Sequence, residues 1–241
     1  MSGIDKFLFL GAVTLAVLVM TQAPEETDAP VDVPQADIPG EAAEATPPSA
    51  DPTPPPTILS LSPAPAGYLS ALSACPGLST SHGANVDADL HVTSFSPQVL
   101  ARGKVRLATA PVGAGCYSSG FGMRNGKLHK GVDYYSKTAV PVFAAAGGKV
   151  RKREYRADYG NMIVIEHGDG VYTRYAHLES FGTADVGDEV RPGEIIGIMG
   201  NTAGYHVPRH LHYEVLTGVW QPRAGSFALT PVDVMTLPAA E

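Results

Sequence analysis

Met162-Ile163-Val164-Ile165-Glu166-His167, then Gly168-Asp169-Gly170, then Val171-Tyr172-Thr173-Arg174-Tyr175-Ala176-His177: this stretch decides the fold. Two runs rich in β-branched and aromatic residues flank an Asp-Gly turn, the pattern of a β-hairpin. The same grammar continues outward. Val140-Pro141-Val142-Phe143-Ala144-Ala145 is a short apolar run closed by Gly147-Gly148, and Asn125-Gly126 marks another tight turn. Glu194-Ile195-Ile196-Gly197-Ile198-Met199-Gly200 is an apolar strand punctuated by glycine, and His210-Leu211-His212-Tyr213-Glu214-Val215-Leu216 alternates clearly. Strands at this spacing without long amphipathic helices predict an all-β domain built on an antiparallel sheet or barrel.

Histidines fall on these strands. His210 and His212 are two apart, so their side chains leave one face, with Leu211 and Tyr213 on the other. On the hairpin strand His177, Tyr175 and Thr173 share a face. His129 and Asp133 are four apart with Gly131 between them, and glycine followed by β-branched Val132 favours an extended segment or turn over a helix. Four histidines and one aspartate are thus available to a metal. Zinc takes nitrogen and oxygen ligands in a tetrahedron, and a catalytic zinc keeps one position open for water. Two histidines and a carboxylate would fill three positions, leaving two histidines for acid-base work. A lone His-x-His is more often a surface strand pair; the combination in one β domain is what points to zinc.

Residues 117–237 resemble the M23 peptidase family, the zinc metallopeptidases of the lysostaphin/LytM type. The family pattern is matched by Ser119-Gly120-Phe121-Gly122-Met123-Arg124, by His129 to Asp133, by Tyr175-Ala176-His177-Leu178 and by His210 to Glu214. Tyr159-Gly160-Asn161 and Gly187-Asp188-Glu189-Val190 match spacer segments. The resemblance implies an antiparallel β domain with a groove and one zinc ion held by His129, Asp133 and His212. It implies His177 and His210 as the catalytic pair beside the metal, and the peptide of bacterial peptidoglycan, cross-bridge or stem, as substrate. The loop Ala203-Gly204-Tyr205-His206-Val207-Pro208-Arg209 departs from the family pattern, and His206 and Arg209 in it are candidates for contacting substrate carboxylates. The short connection from Arg124 to His129 would leave one side of the groove open.

The chain ahead of this domain is of another kind. An apolar run from Phe7 to Met20 follows Lys6. As a helix it would span roughly 21 Å at ~1.5 Å per residue, short of a ~30 Å hydrocarbon core. That length fits a signal peptide ending near Thr21-Gln22-Ala23, or a short uncleaved anchor; either exports the rest to the periplasm or envelope. Twelve of the 21 prolines lie between Pro24 and Pro65, and Pro24 to Asp51 carries eight acidic residues and no basic one. Such a segment cannot bury enough apolar surface to offset its ordering entropy, so residues 24–66 read as a disordered linker. Residues 67–110 form an intermediate region, with a helical turn or two at Tyr68 to Leu78 and a strand near Lys104 to Ala108. The domain itself runs from about 111 to 237.

The linker accounts for the net charge of −7: from Lys104 onward there are fifteen Lys and Arg against thirteen Asp and Glu. No basic stripe with interleaved aromatics is present, so no nucleic-acid partner is expected, and contact with membrane is expected only through the N-terminal segment. The two cysteines, Cys75 and Cys116, suggest a disulfide in an exported protein. The functional expectation is a zinc endopeptidase of peptidoglycan. The alternative is a non-catalytic LytM-like regulator of another wall hydrolase, although such proteins usually lose metal ligands and all five key residues are present here. A lipoyl-like carrier, suggested by Val186 to Glu194, lacks a lysine at a hairpin tip.

Overall fold

In the computed structural model, which describes residues 68–77 and 84–241, the chain passes through fourteen strands. They are β1 (Gln98–Ala101), β2 (Val105–Ala108), β3 (Cys116–Ser119), β4 (Gly122–Arg124), β5 (Lys127–His129), β6 (Val132–Tyr135) and β7 (Pro141–Phe143). β8 (Gly148–Arg156), β9 (Gly160–Glu166), β10 (Val171–Phe181), β11 (Glu189–Val190), β12 (Ile195–Met199), β13 (His210–Thr217) and β14 (Thr230–Val232) follow. Two single-turn 3₁₀ segments, Ser226–Ala228 and Val234–Thr236, are the helical pieces among the described residues, and no helix there is long and apolar enough to cross a membrane. The export segment, and the linker up to residue 66, lie outside the described residues.

The main sheet runs β11-β8-β9-β10-β13-β6-β3, with β12 joined to β10 and β7, and β14 joined to β13. Every pairing between these strands is antiparallel, as the all-β reading requires. The β9–β10 hairpin turns through Asp169 at φ 49°, flanked by glycines with positive φ. The β4–β5 hairpin turns through Asn125 and Gly126, both at positive φ, which a two-residue I′ turn needs.

Strand alternation sorts the side chains. Ile163, Ile165, Val171, Tyr175, Leu211, Tyr213 and Val215 point to one face and join the principal core. Met162, Val164, Tyr172, Ala176 and Leu216 point to the other and form a smaller cluster with Leu229. The intermediate region covers the first face. Tyr68, Leu72, Val92, Val99 and Leu107 belong to the principal core, the Tyr68 hydroxyl donates to the Ala144 carbonyl, and Tyr134 and Tyr213 donate to the carbonyls of Thr109 and Ala108. The helical turns expected from Tyr68 onward are absent among the described residues there: Ser73 and Ala74 form isolated β-bridges to His91 and Tyr117 instead. Apolar side chains at 68 and 72 are needed by the core, and the bridges bring them there in extended form.

Cys75 and Cys116 are joined by a disulfide, with 5.0 Å between Cα atoms and 41 residues of separation. Closing a loop of that length removes roughly 4 kcal/mol of unfolded-chain entropy. A Cys75→Ser/Cys116→Ser protein should therefore lose about 2–4 kcal/mol in urea unfolding, with its folded spectrum unchanged, because backbone bonds from Cys75 and Tyr117 also hold the segment.

Beneath the first face, His167 bonds the Gly147 carbonyl through Nδ1 (2.8 Å) and Thr173 Oγ1 through Nε2 (2.7 Å). Burial pushes its pKa down to about 4. Between that value and the ordinary 6.5, an unfolded chain holds a proton that the folded chain refuses, so stability is complete above pH 6.5 and falls as pH drops toward 4. The loss from this residue is roughly 2–3 kcal/mol. Urea midpoints at pH 7 and pH 4.5 should converge by that amount in His167→Gln relative to wild type.

Candidate metal centre and cleft

The second face of the sheet carries the polar cluster. In the β13–β6 ladder His212 lies opposite Asp133, and in the β13–β10 ladder His212 lies opposite Ala176. His129 arrives from β5, one turn of chain before β6. Gly131 makes that approach possible: a Cβ there would sit 2.2 Å from the Tyr213 carbonyl oxygen.

His177 reaches this face by a route that strand period did not foresee. Tyr175 pairs with Ile163 but Leu178 pairs with Asn161, so β10 carries one extra residue there, a bulge. His177 takes φ 60° at the bulge, and its N–H donates to the Tyr159 carbonyl. Thr173 and Tyr175 face the core, so the expectation that His177 shares their face is corrected. The bulge puts His177 and Ala176 on the same side while Leu178 returns to the core.

Three side-chain atoms converge. His129 Nε2 is 3.1 Å from Asp133 Oδ1 and 3.0 Å from His212 Nδ1, and His212 Nδ1 is 2.9 Å from Asp133 Oδ1. Backbone and carboxylate partners determine the tautomers. His129 Nδ1 faces the Gly120 carbonyl (2.6 Å) and His212 Nε2 faces Glu214 Oε1 (2.9 Å), both pure acceptors, so each of these nitrogens carries a hydrogen. In the neutral rings His129 Nε2 and His212 Nδ1 then present lone pairs to a carboxylate oxygen. Three mutually repelling acceptors require a cation. Their separations approach the ~3.3 Å edge expected of ligands about 2.0–2.1 Å from a tetrahedral zinc, so the set fits such an ion.

The charge of the surroundings agrees. Burial alone would raise the Asp133 carboxyl, but the adjoining His129 and His212 rings outweigh it and hold it well below the usual range. Burial alone would lower His212, but Asp133 and Glu214 raise it to about 9. A proton on His212 thus supplies, in the absence of metal, the positive charge that the cluster needs.

Behind His212 lies a buried ion pair. Glu214 Oε2 is 2.7 Å from Arg174 Nη1, Glu214 Oε1 also accepts from the Tyr159 hydroxyl at 2.9 Å, and Arg174 Nη2 donates to Ser226 Oγ at 2.8 Å. Arg174 and Glu214 are cross-strand partners, 1% and 0% exposed, and the guanidinium stacks on the rings of Tyr159 and Phe227. Glu214, Arg174 and Tyr159 received no role from the sequence, although His210, His212 and Glu214 alternate on one strand face and the period alone could have raised Glu214.

His177 and His210 stand beside the cluster with ring centroids 4.5 Å apart. Nδ1 of His177 bonds the Thr202 carbonyl (2.8 Å) and Nδ1 of His210 the Pro208 carbonyl (2.7 Å). Each Nε2 is thereby left as the unprotonated nitrogen of the neutral ring. Burial lowers His177 to about 4, and it lowers His210 against the opposing pull of Asp133. All five residues line one cleft of about 620 Å³.

The loop candidates fare differently. Neither His206 nor Arg209 lines the cleft; Tyr205, Val207 and Pro208 do. Arg209 Nη1 bonds Glu179 Oε2 and the Met199 carbonyl (2.7 Å), which draws the side chain to the sheet edge. The cleft wall at this loop is thus formed by Tyr205, Val207 and Pro208, with Arg209 held by a protein partner. The described part of the intermediate region contributes no wall to the cleft, because it packs on the opposite face.

Residues 127–223 match the model of peptidase family M23. The chain is 39% identical over 115 residues to the DD-carboxypeptidase/endopeptidase Mpg of Neisseria meningitidis serogroup B, covering 48% of this chain and 24% of that protein. It is 38% identical over 90 residues to the peptidoglycan DD-endopeptidase ShyC of Vibrio cholerae, covering 37% of this chain and 20% of that one. Among solved structures, the catalytic domain of lysostaphin from Staphylococcus simulans is 29% identical, with TM-score 0.43, covering 50% of this chain and 90% of that one. The chain spans about a quarter or less of the length of these curated relatives. Over residues 127–223 the β domain is similar to peptidase family M23.

Proposed function

We propose that this protein is a zinc-dependent endopeptidase that hydrolyses peptide bonds in the cross-bridge or stem peptides of bacterial peptidoglycan. The observation that carries the reading is the convergence of three ligand atoms, from His129, Asp133 and His212, at the floor of a cleft that two further histidines enter. His129, Asp133 and His212 would hold the ion. When bound, zinc polarises a carbonyl and makes water acidic enough to ionise near neutral pH.

The chain's own residues do the rest. His177 and His210 are neutral at pH 7 because burial disfavours their charged forms, so either Nε2 can accept the proton of the attacking water. The protonated ring then donates to the leaving amine. Backbone carbonyls behind both Nδ1 atoms hold the rings in the tautomer that this exchange needs. Glu214 fixes the tautomer of His212, and His212, with Arg174 and Tyr159, holds the Glu214 carboxyl low against its burial. The relative named as a peptidoglycan DD-endopeptidase supports the substrate class, and an apolar N-terminal run acting in export would suit a wall-facing enzyme of the envelope.

Incubating the purified protein with peptidoglycan, with and without chelator, and weighing the released peptides tests the reading. Chelator-sensitive peptide release with about one zinc per chain is expected. No release together with no bound zinc would remove it.

A further inference from the structure

One wall of the cleft is cationic. Arg124, Lys127 and Lys130 all line it. Arg124 and Lys127 are cross-strand partners in the β4–β5 hairpin, and strand period places them on the face that carries His129. Like charges directly opposite each other weaken a two-stranded ribbon, so the hairpin holds this pair against its own stability. Among the described residues neither lysine is in an ion pair. Arg124 is anchored through Nη1 to Ser119 Oγ, with Nη2 3.6 Å from Asp133 Oδ2, and retains further donors on the open side of its fork. Of the two acidic residues on the cleft, Asp133 belongs to the metal cluster and Asp158 is taken by Arg156 through two bonds of 3.0 and 3.2 Å. Lys127 and Lys130 therefore have no ion-pair partner among the described residues, and Arg124 shares Asp133 with the metal cluster. Beside it Leu128, Tyr205, Val207 and Pro208 give the cleft an apolar flank.

We propose that Arg124, Lys127 and Lys130 form a subsite for a free carboxylate of the substrate peptide, so that the cleft selects anionic peptides over their amidated forms. The proposal rests on the endopeptidase reading for the place of the scissile bond. Charge-assisted bonds from a fork and two ammonium groups discriminate a carboxylate from an equally shaped carboxamide. The flank takes the aliphatic parts of the chain.

The probes are synthetic cross-linked stem peptides in three forms: all carboxylates free, the carboxylate beside the scissile amide amidated, and the C-terminal carboxylate amidated. Binding is measured by calorimetry on the His210→Ala protein, and cleavage on wild type and on Lys127→Gln/Lys130→Gln. Amidation at one of the two positions should lower affinity and kcat/KM by about tenfold or more. The position that responds identifies which carboxylate the wall holds. In the double lysine variant the discrimination, read as the ratio of kcat/KM for the free-acid and amidated peptides, should shrink to about threefold or less. Equal binding of all three forms by wild-type cleft residues, or discrimination that survives in the double variant, overturns the proposal. Preferential binding of the free acid without cleavage by wild type would uphold the subsite and remove the endopeptidase reading alone.

Discussion

A His210→Ala protein is expected to keep its zinc and to lose peptide cleavage by about 10²–10⁴-fold. The expectation follows from where the ring's nitrogens go. His210 Nδ1 is occupied by the Pro208 carbonyl and its Nε2 lies 3.9 Å from Asp133 Oδ1, farther than either His129 or His212 from that oxygen. The ring therefore sits beside the ligand triangle and not in it. His177→Ala should behave in the same way, because its Nδ1 is held by Thr202. Metal content by atomic spectroscopy, read beside kcat, separates the roles. If His210→Ala lost the metal as well, His210 would be a ligand and the assignment of acid-base work to it would be wrong. Asp133→Ala, by contrast, should lose both metal and activity.

Arg174→Met should destabilise the domain by about 3–5 kcal/mol, the scale on which removing one partner strands a buried charge. Glu214 would be left at 0% exposure facing only His212 and Tyr159. Urea unfolding of the zinc-free protein measures the effect, and a loss below about 1 kcal/mol would falsify the claim that the pair is held as two charges. The double replacement Arg174→Met/Glu214→Leu removes both charges and should recover most of that stability. It should not recover zinc affinity. His212 Nε2 would lack its carboxylate partner, and affinity should fall about 10–100-fold in a competition titration against a chromophoric chelator. Stability and metal binding, which change together in the single variant, should part in the double one.

Much of the domain was legible in local pattern. The Asp-Gly and Asn-Gly turns and the alternation from His210 to Leu216 announced an antiparallel sheet because turn chemistry and strand period are properties of a few adjacent residues. Alternation also placed His210 and His212 on one face. It failed at His177, where one inserted residue reverses the facing of everything beyond it, and no composition signal marks a bulge at a histidine. It failed again in the intermediate region, where Tyr68 and Leu72 are spaced as on a helix but are drawn into extended bridges by a core they share with distant strands. The loop at His206 and Arg209 was legible in residue type only. A charged side chain in a loop beside a cleft reads as a contact, and only the placing of Glu179 showed that Arg209 has another partner.

By itself, the sequence determined the strand architecture and which residue types could serve a metal, since both depend on spacing within single segments. The tertiary structure decided how those residues act. Strand register set Asp133 opposite His212, the bulge turned His177 into the cleft, and Gly131 let the chain between β5 and β6 pass close against Tyr213 of β13. Backbone carbonyls at Gly120, Thr202 and Pro208 fixed the tautomer of three rings, and the buried Glu214 fixed that of His212. Tautomer, charge and convergence are set by partners far away in the chain, and such partners exist only once the sheet has closed around them.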